Sequence, residues 1–315
     1  MNRAGLAVLA IGGNALIRDR KHESIPDQYD MVCAIAEVIC GMLEGGWKVV
    51  VTHGNGPQVG FILRRSELAI AEVPPVPMDY AGADIQGAVG YMFVKALRNA
   101  FRSRGIRREA VALVTQTVVD RNDPAFASPT KPIGSHMEEA RAKKLAAKYH
   151  WTVREDAGRG WRRVVPSPRP QRILETGLIG ELAKAGHVVV CCGGGGIPVI
   201  EEESGDLKGV EAVIDKDLAS SLLARNMGAD TLVLPTGVEK VALDFNKPTQ
   251  RWLDSMTLAE ARRHQAEDQF DAGSMGPKVA ALIDFIGGGG RLGLITNPQS
   301  VARALRGETG TRVVA

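Results

Sequence analysis

Aromatic residues make up only 5% of this 315-residue chain, and its formal net charge is only +3. That charge is spread along the sequence, so neither a basic stripe nor the aromatic interleaving of a nucleic-acid-binding surface is present. The densest basic runs, 98–108 and 141–148, read as solvated helix faces or helix ends. No segment approaches the roughly 18 apolar residues that a membrane helix needs, so no membrane association is expected. Residues 1–11 join a basic residue to an apolar stretch. That stretch is too short for a signal peptide and runs into Gly12-Gly13-Asn14 rather than a cleavage site, so it reads as a first strand. The four cysteines form no CxxC pair, which excludes a zinc or redox motif of that kind and points to buried, reduced thiols. A cytoplasmic location follows as an expectation. The six histidines lack metal-ligand spacing, and His53, at a strand end, is as well suited to packing or capping as to catalysis. There is no P-loop, no GxSxG elbow and no HExxH. The stretch from Gly54 to Gly60 is GxGxxxG, one residue off the dinucleotide fingerprint.

What is present is a recurring junction. Three short apolar runs, 6–11, 49–52 and 188–192, end abruptly in glycine and asparagine: Gly12-Gly13-Asn14, His53-Gly54-Asn55-Gly56 and Gly193-Gly194-Gly195-Gly196. A short apolar run closed by glycine reads as a buried strand. Without Cβ atoms, such a loop lets backbone N–H groups approach an anion, and a following helix adds positive potential. Each loop alone is as consistent with a tight turn as with a phosphate cradle. Three at strand ends in one chain favour anion binding.

Helical spacing covers 28–44, a stretch from Pro57 to about 71, 79–102, 175–185, 217–227, 258–268 and 277–286. Strands are expected at 111–115, 231–234 and 292–296 as well. This alternation predicts a single α/β domain over 1–315, with an open, mostly parallel sheet and helices on both faces. Ligands in such sheets sit at the C-terminal ends of the strands, where the glycine loops fall. Between 120 and 170 the texture changes to proline turns around a basic helix, which reads as an inserted lid subdomain.

Three lysines stand out by context. Lys216 and Lys278 each fall where a helix should begin, an unfavourable place for a cation unless an anion meets it there. Snorkelling to solvent or pairing with a neighbouring carboxylate is the alternative for each. Lys131, in Pro129-Thr130-Lys131-Pro132, sits in the expected lid, where an exposed loop lysine is the plain alternative. Glycine loops and lysines with no nucleophile–base pair fit phosphoryl transfer, in which the protein positions phosphates and neutralises charge. An acceptor that is already an anion needs no general base, which points to a carboxylate-like acceptor and an acyl-phosphate product.

The motifs AIGGNAL (10–16), THGNGPQVG (52–60), DPAF (123–126), PTKPIG (129–134), GRGWRRVVPSPRP (158–170), GGGGIPV (193–199), GVEAVIDKDLAS (209–220) and GSMGPKV (273–279) span almost the whole chain. With them the chain resembles the carbamate kinases of the amino-acid-kinase superfamily. That resemblance implies a three-layer α/β/α sandwich, and ATP + carbamate ⇌ ADP + carbamoyl phosphate with Mg²⁺. It implies use in making ATP during arginine or ureide catabolism by a cytoplasmic homodimer. By motif match, Lys216 and Lys278 contact the transferred phosphoryl group, Asp217 orients them, and Lys131 reaches carbamate. Gly12, Gly13, Asn14, Gly54, Asn55 and Gly56 cradle substrate oxygens. Gly194, Gly195, Asp215, Val238, Met275 and Gly276 lie near the nucleotide.

Two segments depart from the family pattern. Gly134-Ser135-His136-Met137 replaces the usual Gly-Pro-Phe-Tyr after the lid lysine, which puts lid packing and closure in question. The stretch from Leu234 to Lys240 lacks the Thr-Asp-Val-Asp often found there, which weakens any role for carboxylates on the nucleotide side. The alternatives are a sister kinase of another small acid and a nucleotide-binding regulator without catalysis. Intact Lys131, Lys216 and Lys278 argue against the second.

Overall fold

The computed structural model describes residues 5–315 except Arg20, Ala157, Arg159 and Ala272. Residues 1–4 of the expected first segment and Arg159 of the 158–170 motif therefore lie outside the described residues. The strands are β1 (Leu6–Ile11), β2 (Lys48–His53), β3 (Ala110–Ala112), β4 (Gln116–Val119), β5 (Lys131–Met137), β6 (Thr152–Glu155), β7 (Trp161–Val165), β8 (Pro170–Ile173), β9 (Val188–Cys191), β10 (Ile197–Glu201), β11 (Leu207–Gly209), β12 (Thr231–Pro235), β13 (Val241–Leu243), β14 (Arg251–Leu253), β15 (Ser255–Thr257), β16 (Leu292–Thr296) and β17 (Thr311–Val314). The helices are α1 (Ile25–Glu44), α2 (Gly56–Ala69), α3 (Met78–Arg104), α4 (Pro124–Ala127), α5 (Glu139–Tyr149), α6 (Thr176–Lys184), α7 (Lys216–Asn226), α8 (Leu258–Ala266), α9 (Met275–Gly287) and α10 (Val301–Leu305).

The central sheet has the order β15-β17-β16-β12-β1-β2-β9-β3. Its pairs are parallel except for β16 with β17. Alternate residues of each inner strand enter two separate cores. Ala7, Leu9, Ile11, Val49 and Val51 pack on the side of α1 and α3. Leu6, Val8, Ala10, Val50 and Val189 pack on the side of α7 and α9. Burial on both faces is why these strands read as unbroken apolar runs instead of alternating ones. Ser24 opens α1 with a reciprocal capping box to Asp27, which sets the helix start three residues before the first residue expected from periodicity.

Of the expected strand at 111–115 only Val111 and Ala112 are strand; 113–115 lead instead to β4, which starts at Gln116 in another sheet. β3 ends at Ala112, and Thr115 turns the chain out of the central sheet. Its backbone N–H donates to Gln86 Oε1 at 2.7 Å, and its Oγ1 accepts from Cys192 N at 2.7 Å. β4 then joins a second sheet of order β11-β10-β4-β8. Beyond it, within 120–170, β5, β7 and β6 form an antiparallel sheet of their own, carrying α5.

Candidate active site

The glycine loops leave β1, β2 and β9, which are neighbours in the sheet with Ile11 opposite His53 and Thr52 opposite Cys191. All three therefore emerge at one C-terminal edge. The glycines let the loops touch. A Cβ on Gly54 would fall 2.6 Å from Gly13 N and 3.3 Å from Lys216 Cδ, and one on Gly13 would fall 3.0 Å from Asn55 N. Gly194 takes a left-handed φ of +67° with its absent Cβ only 2.2 Å from Asn55 Nδ2. The Asn55 side chain makes no capping bond to α2, which begins at Gly56 with Pro57 in its first turn. Above this edge opens a cleft of about 510 Å³, lined by Asn14, Gly54, Asn55, Gly56, Lys131, Gly194, Asp215 and Lys216 among others. A larger groove of about 640 Å³ lies along α8 and α9, with Arg225 and Asp284 in its wall. No loop glycine of β1, β2 or β9 lines it.

Lys216 lines the cleft, and it is joined to two buried residues that do not line it, Asp217 and Lys278. Lys216 opens α7 and Lys278 lies in the first turn of α9. Asp217 stands between them, 5% exposed. One of its carboxylate oxygens accepts from Lys216 Nζ, and the other accepts from Lys278 Nζ at 3.0 Å. Burial alone would raise the Asp217 pKa, yet the two ammonium groups outweigh it and hold the carboxyl below its ordinary range. Burial pulls the Lys216 pKa down, and nearby Lys278 adds to that, while Asp217 opposes it. Asp215 caps α7, its Oδ1 accepting from Asp217 N at 2.9 Å and Leu218 N at 3.3 Å. Ser220, one turn on, donates to Lys216 O at 2.6 Å and lies 2.6 Å from Thr52 Oγ1, which ties α7 to β2.

His53 supports the loops from beneath. It is buried, stacked on Phe93 at 6.0 Å, and its Nδ1 lies 3.0 Å from Gly54 O. A Cβ on Gly193 would strike the ring at 2.7 Å. Burial lowers the imidazole pKa to about 4, so the ring is neutral at pH 7. Gln86 of α3 anchors the same loop, donating to Gly193 O at 3.3 Å.

Lys131 begins β5, opposite Val165, and projects from the small antiparallel sheet into the cleft wall with an exposed side chain. Other expected site residues do not line this cleft. Gly12 and Gly13 sit at the end of β1, with Gly13 packed against the second loop. Gly195 lies beneath Ile214 and gives its carbonyl to Thr117 Oγ1 at 2.8 Å. Val238 lies between β12 and β13, and Met275 and Gly276 open α9 beside Asp271. The sequence reading gave no role to Arg162, which does line the cleft. Its signal was position within the 158–170 motif, whose composition alone assigns nothing.

Among the described residues, no helix is long and apolar enough to cross a membrane. The amino acid kinase family model matches residues 5–297. The chain is 47% identical to a carbamate kinase of Thermococcus kodakarensis over 310 residues, covering 98% of each chain. It is also 47% identical to the carbamate kinase-like protein YahI of Escherichia coli, again over 98% of each. Among solved structures it matches a Giardia lamblia carbamate kinase bound to AMP-PNP, with a TM-score of 0.95 and 42% identity, covering 100% of this chain and 99% of that one.

Proposed function

We propose that this chain, which belongs to the amino acid kinase family, acts as a carbamate kinase that interconverts ATP and carbamate with ADP and carbamoyl phosphate. The observation that carries this reading is the buried Lys216–Asp217–Lys278 cluster beneath the glycine loops. A carbamate oxygen attacks the γ-phosphorus, the new O–P bond forms, and the bond to the bridging oxygen breaks with its electron pair leaving on ADP. Carbamate arrives as an anion, so no base is needed. The chain's task is to bring two anions together and neutralise the charge that spreads over the transferred group. Lys216 and Lys278 supply that charge. Asp217 holds both ammonium groups in place, as a positioning residue. Lys131 draws the acceptor from above. Backbone N–H groups of Asn14, Asn55 and Gly56, which line the cleft, face the oxygens of the transferred group; Gly12, Gly13 and Gly54 shape the turns, the Gly54 N–H being spent on Ile11 O at 2.8 Å, and the first turn of α2 adds its dipole.

The nucleotide extends from the tetraglycine loop and Asp215 towards Val238, Met275 and Gly276. Mg²⁺ accompanies the nucleotide. The carboxylates near the cleft are already committed, Asp215 to capping α7 and Asp217 to the lysines, so the protein offers the ion a poor donor set and the phosphates would carry it. We place the enzyme in the cytoplasm as a homodimer, and read residues 120–170 as its lid. Equal identity to the kinase-like YahI keeps a sister acceptor in view. One assay separates the readings: ATP formation from ADP with carbamoyl phosphate, acetyl phosphate or aspartyl phosphate as donor. Preference for carbamoyl phosphate supports the proposal, and preference for another donor refutes it.

A further inference from the structure

The Trp161-Arg162-Arg163 run of β7 sends its two arginines to opposite faces of the strand. Arg163 is engaged. It pairs with Glu211, which also accepts from Met78 N at 3.0 Å, and it stacks on Trp151 with its Cζ 4.6 Å from the ring centroid. That arginine fastens the small sheet to the start of α3. Arg162 instead lines the cleft that Lys131 also lines. Its side chain is 21% exposed, and its Nε is buried without a hydrogen-bond partner among the described residues. Asp156 lies beside it, but Oδ2 is 3.4 Å from Nη1, longer than the roughly 2.7–2.9 Å of a charge-assisted bond. The same Oδ2 is held by His136 Nε2 at 2.9 Å. His136 belongs to the Ser135-His136-Met137 segment, where this chain departs from its family pattern.

A guanidinium carries five donors in a rigid planar fork, and a buried N–H without a partner bears an uncompensated desolvation cost. Here that fork stands at the wall of a cleft that Lys131 and Lys216 also line. We propose that Arg162 binds the acceptor-side anion, taking oxygens of the carboxylate or acyl phosphate, and that Asp156, steadied by His136, positions it. The inference rests on the phosphotransfer reading and adds the group that orients the acceptor. Lys131 is a point charge on a flexible stem, whereas the planar fork of Arg162 fixes how a flat carboxylate lies.

The test uses the full chain in the ATP-forming direction, with KM measured separately for carbamoyl phosphate and for ADP. Arg162→Met raises KM for carbamoyl phosphate about tenfold or more with KM for ADP within about twofold, and Arg162→Lys falls between variant and wild type. Asp156→Asn gives a smaller rise in the same constant alone, and a thermal melt establishes that each variant is folded. An unchanged KM for carbamoyl phosphate in Arg162→Met, or an equal rise for both substrates, overturns the assignment. Calorimetric titration with inorganic phosphate separates this inference from the reading beneath it. Weaker phosphate binding by Arg162→Met supports the anion site even if the wild-type chain makes no ATP, and equal binding by both proteins overturns it.

Discussion

Replacing Asp217 by Asn tests the lysine pair most sharply. Asp217 is 5% exposed and its two oxygens serve two different lysines. Asn keeps the shape and removes the charge, leaving two ammonium groups buried without their counter-ion. Breaking a buried ion pair by removing one partner costs about 3–5 kcal/mol. The native state as a whole is worth only about 5–15 kcal/mol. Part of the loss is relieved because Lys216, whose pKa is already pulled down by burial, sheds its proton more readily once Asp217 is neutral. The lower end, about 3 kcal/mol, is therefore expected, which for a chain of this size lowers the melting temperature by roughly 4–5 °C. The assay is a thermal melt of both proteins with and without added sulfate. A dianion replaces the missing counter-charge, so sulfate raises the melting temperature of the variant more than that of the wild type. Phosphoryl transfer falls by about a hundredfold or more, because the lysines lose the carboxylate that places them. A variant that melts within about 2 °C of wild type and responds to sulfate in the same way would refute the view of Asp217 as the shared counter-ion.

The remaining predictions concern the loops and the small sheet. His53 is held neutral by burial, with its pKa at about 4 against an ordinary 6.5. The unfolded chain therefore binds a proton that the folded one refuses. Stability is complete above pH 6.5 and falls as pH drops towards 4, by about 3 kcal/mol in total. Melts from pH 7 to 4.5 should show a shallower fall in His53→Gln, and equal slopes would remove His53 as the cause. Gly54→Ala places a methyl 2.6 Å from Gly13 N, so a loop must shift. A loss of about 1–3 kcal/mol and at least tenfold in kcat/KM is expected, and wild-type kinetics would contradict the close approach. Lys131→Ala removes an exposed side chain, so the melting temperature stays put while kcat/KM for carbamoyl phosphate falls about a hundredfold. An unaffected kcat/KM would take Lys131 out of the site.

The sequence exposed the site's parts more readily than their arrangement. The three loops were visible because β1, β2 and β9 are buried on both faces and end in glycine, so composition changes sharply at the junction. Lys216 and Lys278 were visible because a lysine opening a helix runs against the helix dipole. Their joining through Asp217 was not, since Asp217 and Lys278 are 61 residues apart and local pattern carries no such pairing. The end of the strand at Ala112 depends on Gln86 of α3 capturing Thr115, again a long-range bond. The closing β17, antiparallel to β16 and pairing with three-residue β15, is too short for periodicity to reveal. Arg162 stands beside an arginine with a structural task, and only the pleat separates their roles.

The central claim is that this cleft passes a phosphoryl group between an acyl phosphate and ADP through its paired lysines. Phosphorus NMR of ADP mixed with carbamoyl phosphate, followed side by side with the wild-type chain and with Lys278→Ala, tests it most directly. The account predicts that the carbamoyl phosphate signal decays into an ATP γ-phosphate signal with the wild type. With the variant, folded by thermal melt, the signal grows slower by orders of magnitude. Release of inorganic phosphate without ATP, or equal rates for the two proteins, would contradict it.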